Sequence, residues 1–469
     1  MAGHDQYPHV TKLPADVWFN VVRYLPVRDF LSICSTCCDL RDILSDRHVW
    51  STKMKDLLTA VPQPHIARTL PSMSTADLKR RAIRAALLDE KWQQKDLAIR
   101  RMHSIPYEST FQDVKLLPGG EMVLILLENG SLQLRSLISL EPVYTFHASV
   151  IITGYNTCDI SFSSNGRIFA SFHHSINSYV FLVDVVNPCI STAAMIKPRE
   201  LVGFADPPLF LIGCPYTYAA GNLIAVGYFD RDGNPCIYIR TVILEQTDAG
   251  DVAEHAVMRF DSRVQVGYFE SSSVSLLSRH RLLFVHGEGT TIYQIPQCQP
   301  VSSGPPPVFV PEQIWTTDLI MKHDAPFTFS PALWGDSFST SRSPSRSLAF
   351  CSRTHMHIIQ STRDFCERSI KTYPSHGITS EPTAKLILGF TKGISRDESD
   401  CSVIGTFCVP TSSDDLATKT TRCGSFVVPL DPLEVVIDCS FDEGTGRILV
   451  LVGSAGRFTP TRILVMDVI

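Results

Sequence analysis

The sequence predicts a multidomain chain: a small all-α module followed by a mainly-β domain, the latter a β-propeller of about seven blades. Three observations carry that expectation. Helical periodicity is confined to the first part of the chain. Beyond about residue 105, short β-rich runs alternate with Gly, Pro, Asn, Asp and Ser clusters. Two of those runs, 160–186 and 439–469, repeat one another. The full length of 469 residues also exceeds what one hydrophobic core usually organises. The expected order is a disordered N-terminus over 1–9, a helical module over 10–58 and a proline-punctuated linker with a connector helix over 59–104. The β domain then fills 105–469, with loop insertions near 297–313 and 335–347.

The first helix follows from Val17, Val21 and Leu25, which fall on one stripe, while Trp18, Phe19, Val22 and Tyr24 clothe other sides. Pro14 suits the first turn, where a missing N–H costs nothing, and Asp16 suits the positive end of the helix dipole. Pro26 stops this helix. Asp29 is the expected N-cap of the next, which carries Phe30, Leu31, Ile33, Cys34 and Cys37. A third stretch bears Leu40, Ile43 and Leu44. Ser45 or Asp46 then caps a fourth, with Val49, Trp50, Met54, Leu57 and Leu58 on its apolar face. Short helices apolar on more than one side, within about 45 residues, bury too little to stand alone. Their surplus packs on the rest of the chain or on another protein.

The order of these residues narrows the choice. Leu13-Pro14, Val17 three positions on, the Tyr24-Leu25 helix end, Asp29-Phe30-Leu31, the Cys34 and Cys37 region, Leu40 and Trp50 together resemble the F-box. The resemblance spans about residues 10–58. It departs at Cys38 and Asp39, where basic or aromatic residues are often found. It implies docking onto a Skp-type adaptor and, through it, a cullin–RING ubiquitin ligase, with the remaining chain presenting a protein substrate for ubiquitination. It also implies that Leu13, Pro14, Val17, Val21, Leu25, Phe30, Leu31 and Cys34 face the adaptor or immediately support that surface. The chain is then no enzyme, since catalysis belongs to other subunits. A scaffold assembling proteins outside ubiquitin transfer stays open as an alternative, as does a glycan- or phosphate-processing enzyme in the β domain.

After the link "PQPHIARTLPSM", Ser74 and Asp77 form a capping box for a helix running through 76–101. Leu78, Ala82, Ala85 and Leu88–Trp92 give it one apolar stripe. Its basic run "KRRAIR" reads as a solvated helix face, with a targeting or phosphate patch as the other reading.

In the β domain, 160–186 and 439–469 share Ser-Phe, a polar turn ending Gly-Arg-Ile, an apolar strand, and a further strand closing on Asp-Val. Segment 114–137 repeats the scheme with "PGG" and "ENGS" as turns. Further strand pairs are expected at "NLIAVGYF" with "PCIYIRTVIL", "RLLFVHG" with "TIYQI", "SLAFCS" with "HMHIIQ", and "KLILGF" with "SVIGTFCV". The pattern resembles a degenerate WD-repeat propeller. Val183-Asp184 and Met466-Asp467 replace its Trp-Asp, and no Gly-His opens the blades. Six or eight blades, or a pair of two-sheet sandwiches, also fit. The Pro- and Ser-rich segments 297–313 and 335–347 read as exposed loops, "SRSPSRS" being a candidate for phosphorylation.

Charge and chemistry exclude more than they assert. Residues 1–101 carry +5 and the remainder −10. That basic excess sits in the connector helix, so no nucleic-acid partner is expected; the acidic body favours a basic target surface. No run approaches the roughly 20 apolar residues of a membrane span, and the N-terminus lacks a signal pattern. The expectation is therefore a cytoplasmic or nuclear protein whose fourteen cysteines are thiols. Cys34-x-x-Cys37 lacks the second pair that structural zinc needs. His355 and His357 read as exposed strand residues, and Asp230-x-Asp232-Gly233 as a hairpin turn rather than a calcium loop. No metal, cofactor or catalytic motif is expected.

Overall fold

A computed structural model describes residues 13–60, 69–92, 97–106 and 111–139, and beyond these the strands named below with their adjoining turns. The expected disordered stretch 1–9, the Asp230–Asp232 turn and residues 335–344 lie outside the described residues.

Among the described residues five α-helices come first, α1 (Ala15–Arg23), α2 (Val27–Cys34), α3 (Cys38–Ile43), α4 (Arg47–Ala60) and α5 (Thr75–Trp92), with a 3-10 turn at Leu70–Ser72 before the last. Pro14 precedes α1 as its N-cap, and its carbonyl accepts from the Val17 and Trp18 amides. Pro26 ends one helix and caps the next, so the expected cap Asp29 sits instead in the first turn of α2, where its charge suits the dipole. Asp46 Oδ1 accepts the His48 amide at 2.6 Å and opens α4. The capping box of α5 is present: Ser74 Oγ accepts the Asp77 amide at 3.1 Å and donates to Asp77 Oδ2 at 2.7 Å. This helix ends at Trp92, short of the expected 101, and Leu97 and Ile99 follow outside any helix or strand.

Among the described residues the β domain forms seven mainly antiparallel sheets, arranged as a propeller. Blade 1 comprises Phe111–Leu116, Met122–Leu127, Leu132–Ser136 and Pro142–Phe146. Blade 2 comprises Cys158–Phe162, Ile168–His174, Asn177–Asp184 and Cys189–Ile196. Blade 3 has Thr217–Ala220, Leu223–Phe229, Pro235–Thr241 and Glu254–Arg259. In blade 4, Ser273–Ser278, Arg281–His286 and Gly289–Gln294 are joined by Glu312–Asp318. Blade 5 has Thr328–Phe329, Ser345–Cys351, His355–Thr362 and Arg368–Pro374. Blade 6 has Lys385–Leu388, Lys392–Arg396, Val403–Cys408 and Arg422–Val427. Blade 7 takes Glu434–Asp442, Arg447–Ser454 and Pro460–Asp467 from the end of the chain and its outermost strand, Arg101–Pro106, from the beginning. The ring is thus closed by pairing across the whole domain, and the expected boundary at 104/105 falls inside that closing strand.

The first strands of blades 1 to 4 touch in succession, as do those of blades 5 and 6 and of blades 7 and 1, which places them around the axis. Apolar side chains fill the gaps between blades: Leu124, Leu134, Ala170 and Phe181 between blades 1 and 2, and Leu449, Val465, Val123 and Ile125 between blades 7 and 1. Three expected strand pairs are present in blades 3, 4 and 5. The fourth is corrected. Lys385–Leu388 does not pair with Val403–Cys408, because Lys392–Arg396 lies between them. This strand, Lys-Gly-Ile-Ser-Arg, carries too few apolar residues to announce itself. Its Gly393 is opposite Phe407, whose ring fills the space a side chain would need.

Residues 299–300 and 308–309 of the proline-rich segment pair with the last strand of blade 3, one antiparallel and one parallel. Residues 345–347 of the Ser-rich segment open a blade 5 strand. His357 is buried opposite Phe350, not exposed, because its strand is the third of four in blade 5 and is paired on both sides.

The repeated Gly-Arg-Ile and Asp-Val signatures acquire a physical meaning in blade 7. Arg447 opens the second strand directly opposite Asp467 at the end of the third. Their contact is bidentate, Nε to Oδ1 at 2.6 Å and Nη2 to Oδ2 at 3.0 Å.

Candidate functional site

The helical module has a core of its own. Trp18 and Val22 from α1, Phe30 from α2, Leu40 and Leu44 around α3, and Val49, Trp50, Met54 and Leu58 from α4 are all buried together with Leu78 and Ala82 of α5. Phe30 meets Trp50 edge to face at 4.8 Å, and Lys79 lies over the Trp50 ring at 5.7 Å.

What this core leaves out is one side of α1. Leu13, Val17, Val21 and Tyr24 are 46, 37, 43 and 82% exposed, although each is large and apolar or aromatic. Their spacing lines them up along a helix face opposite Trp18 and Val22. Pro14 is exposed beside Leu13. Leu25, Leu31 and Cys34 are half-buried where α1 turns into α2, packed on the module core but still accessible. Burial raises the Cys34 thiol pKa from its ordinary value, with Lys79 and Arg41 opposing. Cys34, Cys37 and Cys38 are free thiols on adjoining helices.

Seven of the eight residues singled out by sequence therefore reach the surface. Phe30 does not: it is fully buried against Trp50 and supports the face from beneath. Two further residues lie on or under this surface. Tyr24 lies three positions after Val21 and extends the exposed line by less than a turn, although spacing alone set it off the stripe of Val17, Val21 and Leu25. Lys53 is buried beneath α1 and donates to carbonyls at its end. A lysine in an otherwise amphipathic helix gives no such signal.

The connector helix ties this module to the ring. Leu78 and Ala82 belong to the helical core, whereas Leu88 and Trp92, further along the same helix, belong to the core between blades 6 and 7. Trp92 Nε1 donates to the Phe407 carbonyl at 3.1 Å and its ring stacks on Phe441. Arg84 Nε donates to the Thr445 carbonyl at 3.1 Å and lies 3.9 Å from Asp467. Lys392 reaches Asp89 at 2.5 Å, and Arg81 reaches Glu121 of the first turn in blade 1 at 3.2 Å. Arg80 pairs with Asp77. Of the basic run read as a solvated face, Lys79 and Arg80 are exposed, whereas Arg81 and Arg84 are half-buried and engaged on the ring.

Beneath Arg84, Asp442 accepts the Gly119 and Thr445 amides and the Thr445 hydroxyl, while Arg447 also donates to the Gly120 carbonyl. Burial raises the Asp442 pKa against the pull of these donors. Turns of blades 7 and 1 are so knitted where α5 crosses them.

Chemically the α1 face offers apolar and aromatic contact area. Among the described residues there is no group of three or more His, Cys, Asp or Glu that would hold a metal ion. No helix among them is long and apolar enough to cross a membrane. Residues 10–52 match the F-box domain, so the chain carries an F-box ahead of its propeller. No curated protein matches the sequence. Among solved structures, the β-propeller domain of Cps50 (Swd1) from Myceliophteria thermophila is similar at 8% identity and a TM-score of 0.43, covering 79% of this chain and 99% of that one. The WD40 domain of SCAP from fission yeast is similar at 8% identity and a TM-score of 0.39, covering 77% and 82%. The propeller assignment itself rests on the strand pairing above.

Proposed function

We propose that this protein is the substrate-recognition subunit of a Skp–cullin–F-box type ubiquitin ligase. The observation that carries the reading is the uncovered line of Leu13, Val17, Val21 and Tyr24 on a module whose own core is already complete. Such a face suits a helical partner that buries it at an interface core. Leu13, Pro14, Val17, Val21, Leu25, Leu31 and Cys34 meet the Skp-type adaptor, and Phe30 supports them. The adaptor links the chain to a cullin–RING ligase, whose subunits perform the covalent chemistry. Helix α5 occupies the turns of blades 6, 7 and 1 on one side of the ring, which leaves the other side to a target protein. Holding the target near the charged ubiquitin carrier raises its effective concentration, with no catalytic group supplied by this chain.

Pull-down of purified Skp-type adaptor by the full chain tests the reading. Val17→Asp with Val21→Asp is expected to abolish capture. Leu13→Ala with Pro14→Ala is expected to weaken it by at least about thirtyfold, the equivalent of about 2 kcal/mol at a hot spot. Full retention by both variants refutes adaptor docking through α1. Co-purification with adaptor but without cullin points instead to a scaffold outside ubiquitin transfer.

A further inference from the structure

Lys53 stands on α4 three residues after Trp50, with its side chain almost wholly buried. Its Nζ donates to the Arg23 carbonyl at 3.1 Å and to the Leu25 carbonyl at 2.5 Å. Arg23 is the last residue of α1, and Leu25 precedes the proline that opens α2. These are carbonyls of the kind a helix end leaves without intrahelical donors, and an ammonium there also complements the negative pole of the helix. Removing the cation from water is nevertheless expensive, and burial lowers its pKa from the ordinary lysine value, with Asp56 opposing. A methionine would fill much of the same space without that cost. What the ammonium adds over an apolar side chain is direction. It fixes where α1 stops and where the chain turns at Leu25-Pro26. That sets the line of Leu13, Val17 and Val21 relative to Leu31 and Cys34 on α2.

We propose that Lys53 is a positioning residue of the docking face, holding α1 and α2 in the one arrangement a rigid helical partner accepts; this rests on the adaptor-docking reading above. The test compares full-length wild type, Lys53→Met and Lys53→Arg. Three quantities are read: affinity for purified Skp-type adaptor, thermal midpoint, and amide hydrogen exchange across residues 18–27. Lys53→Met is expected to lose about tenfold in affinity with a midpoint little changed, since relief of the buried charge offsets the two carbonyls left without a donor. Its amides around the α1–α2 turn are expected to exchange faster. Lys53→Arg keeps a donor for the same carbonyls and is expected to recover most of the affinity.

Unchanged affinity in Lys53→Met overturns the proposal. So does a loss that merely follows a lowered midpoint, or an arginine variant as impaired as the methionine one. Failure of the wild type itself to bind adaptor overturns the docking reading rather than the role of Lys53. The exchange comparison then decides that role alone, and equal rates in wild type and Lys53→Met refute it.

Discussion

Gly446 offers a direct measure of how tightly the connector helix is seated on the ring. It has φ +68° in the turn between the first two strands of blade 7, and a Cβ placed there would lie 2.4 Å from Cδ1 of Leu88 on α5. Gly446→Ala therefore carries two penalties. The left-handed backbone costs a side-chain-bearing residue about 1–2 kcal/mol. Intrusion into a packed core costs roughly 1–3 kcal/mol more, because Leu88 is itself buried between blades 6 and 7. Together the expected loss is about 2–5 kcal/mol. Only the second penalty depends on Leu88. Leu88→Ala alone is expected to cost about 2–5 kcal/mol as a cavity, but in the double variant the new methyl enters vacated space. The two losses should then fall short of additivity by roughly 1–3 kcal/mol. Urea unfolding of the full chain and its three variants, followed by tryptophan fluorescence, measures this, since Trp92 lies in the same core. Strict additivity would show that α5 does not rest on this turn in solution, and would refute the reasoning.

Trp92→Phe keeps an aromatic ring against Phe441 but removes the donor to the Phe407 carbonyl, so a loss of about 1–3 kcal/mol is expected in the same unfolding assay. Glu434 is held by Arg462 through a two-point contact, and those hydrogen bonds lower its pKa below the ordinary value of 4.5. A carboxylate with a depressed folded pKa contributes stability that is present above pH 4.5 and lost as pH falls through the folded value. Thermal midpoints of the wild type should therefore fall more steeply than those of Glu434→Gln below pH 4.5, and parallel profiles would contradict the assignment.

The parts of the molecule legible in sequence are those written locally. Val17 and Val21 declare a helix face by spacing alone, and the capping box at Ser74 and Asp77 marks a helix start within four residues. The repeat of 160–186 in 439–469 reveals blades because each blade satisfies most of its hydrogen bonds internally. Features joining distant residues were not legible. Arg84 meets the Thr445 carbonyl 361 positions away, and nothing near either residue announces the other. Lys53 looks solvent-facing until the end of α1 is placed above it. The resemblance groups Phe30 with Leu31 and Cys34 as facing or supporting one surface, and only its rotation about α2 toward Trp50 separates it from them. The strand Lys392–Arg396 was hidden for a different reason: its partner Phe407 supplies the apolar bulk that Gly393 lacks.

The outermost strand of blade 7 carries a consequence for synthesis. Arg101–Pro106 leaves the ribosome early, yet its hydrogen-bonding partner Pro460–Asp467 is translated only after the strands of the other six blades. Throughout elongation that early segment is an unpaired edge, open to β-rich neighbours and to chaperones. Deleting Pro460–Asp467 would strip Arg101–Pro106 and Arg447–Ser454 of a partner at once, so a chain without that strand should be cleared as misfolded rather than persist as a trimmed but folded ring.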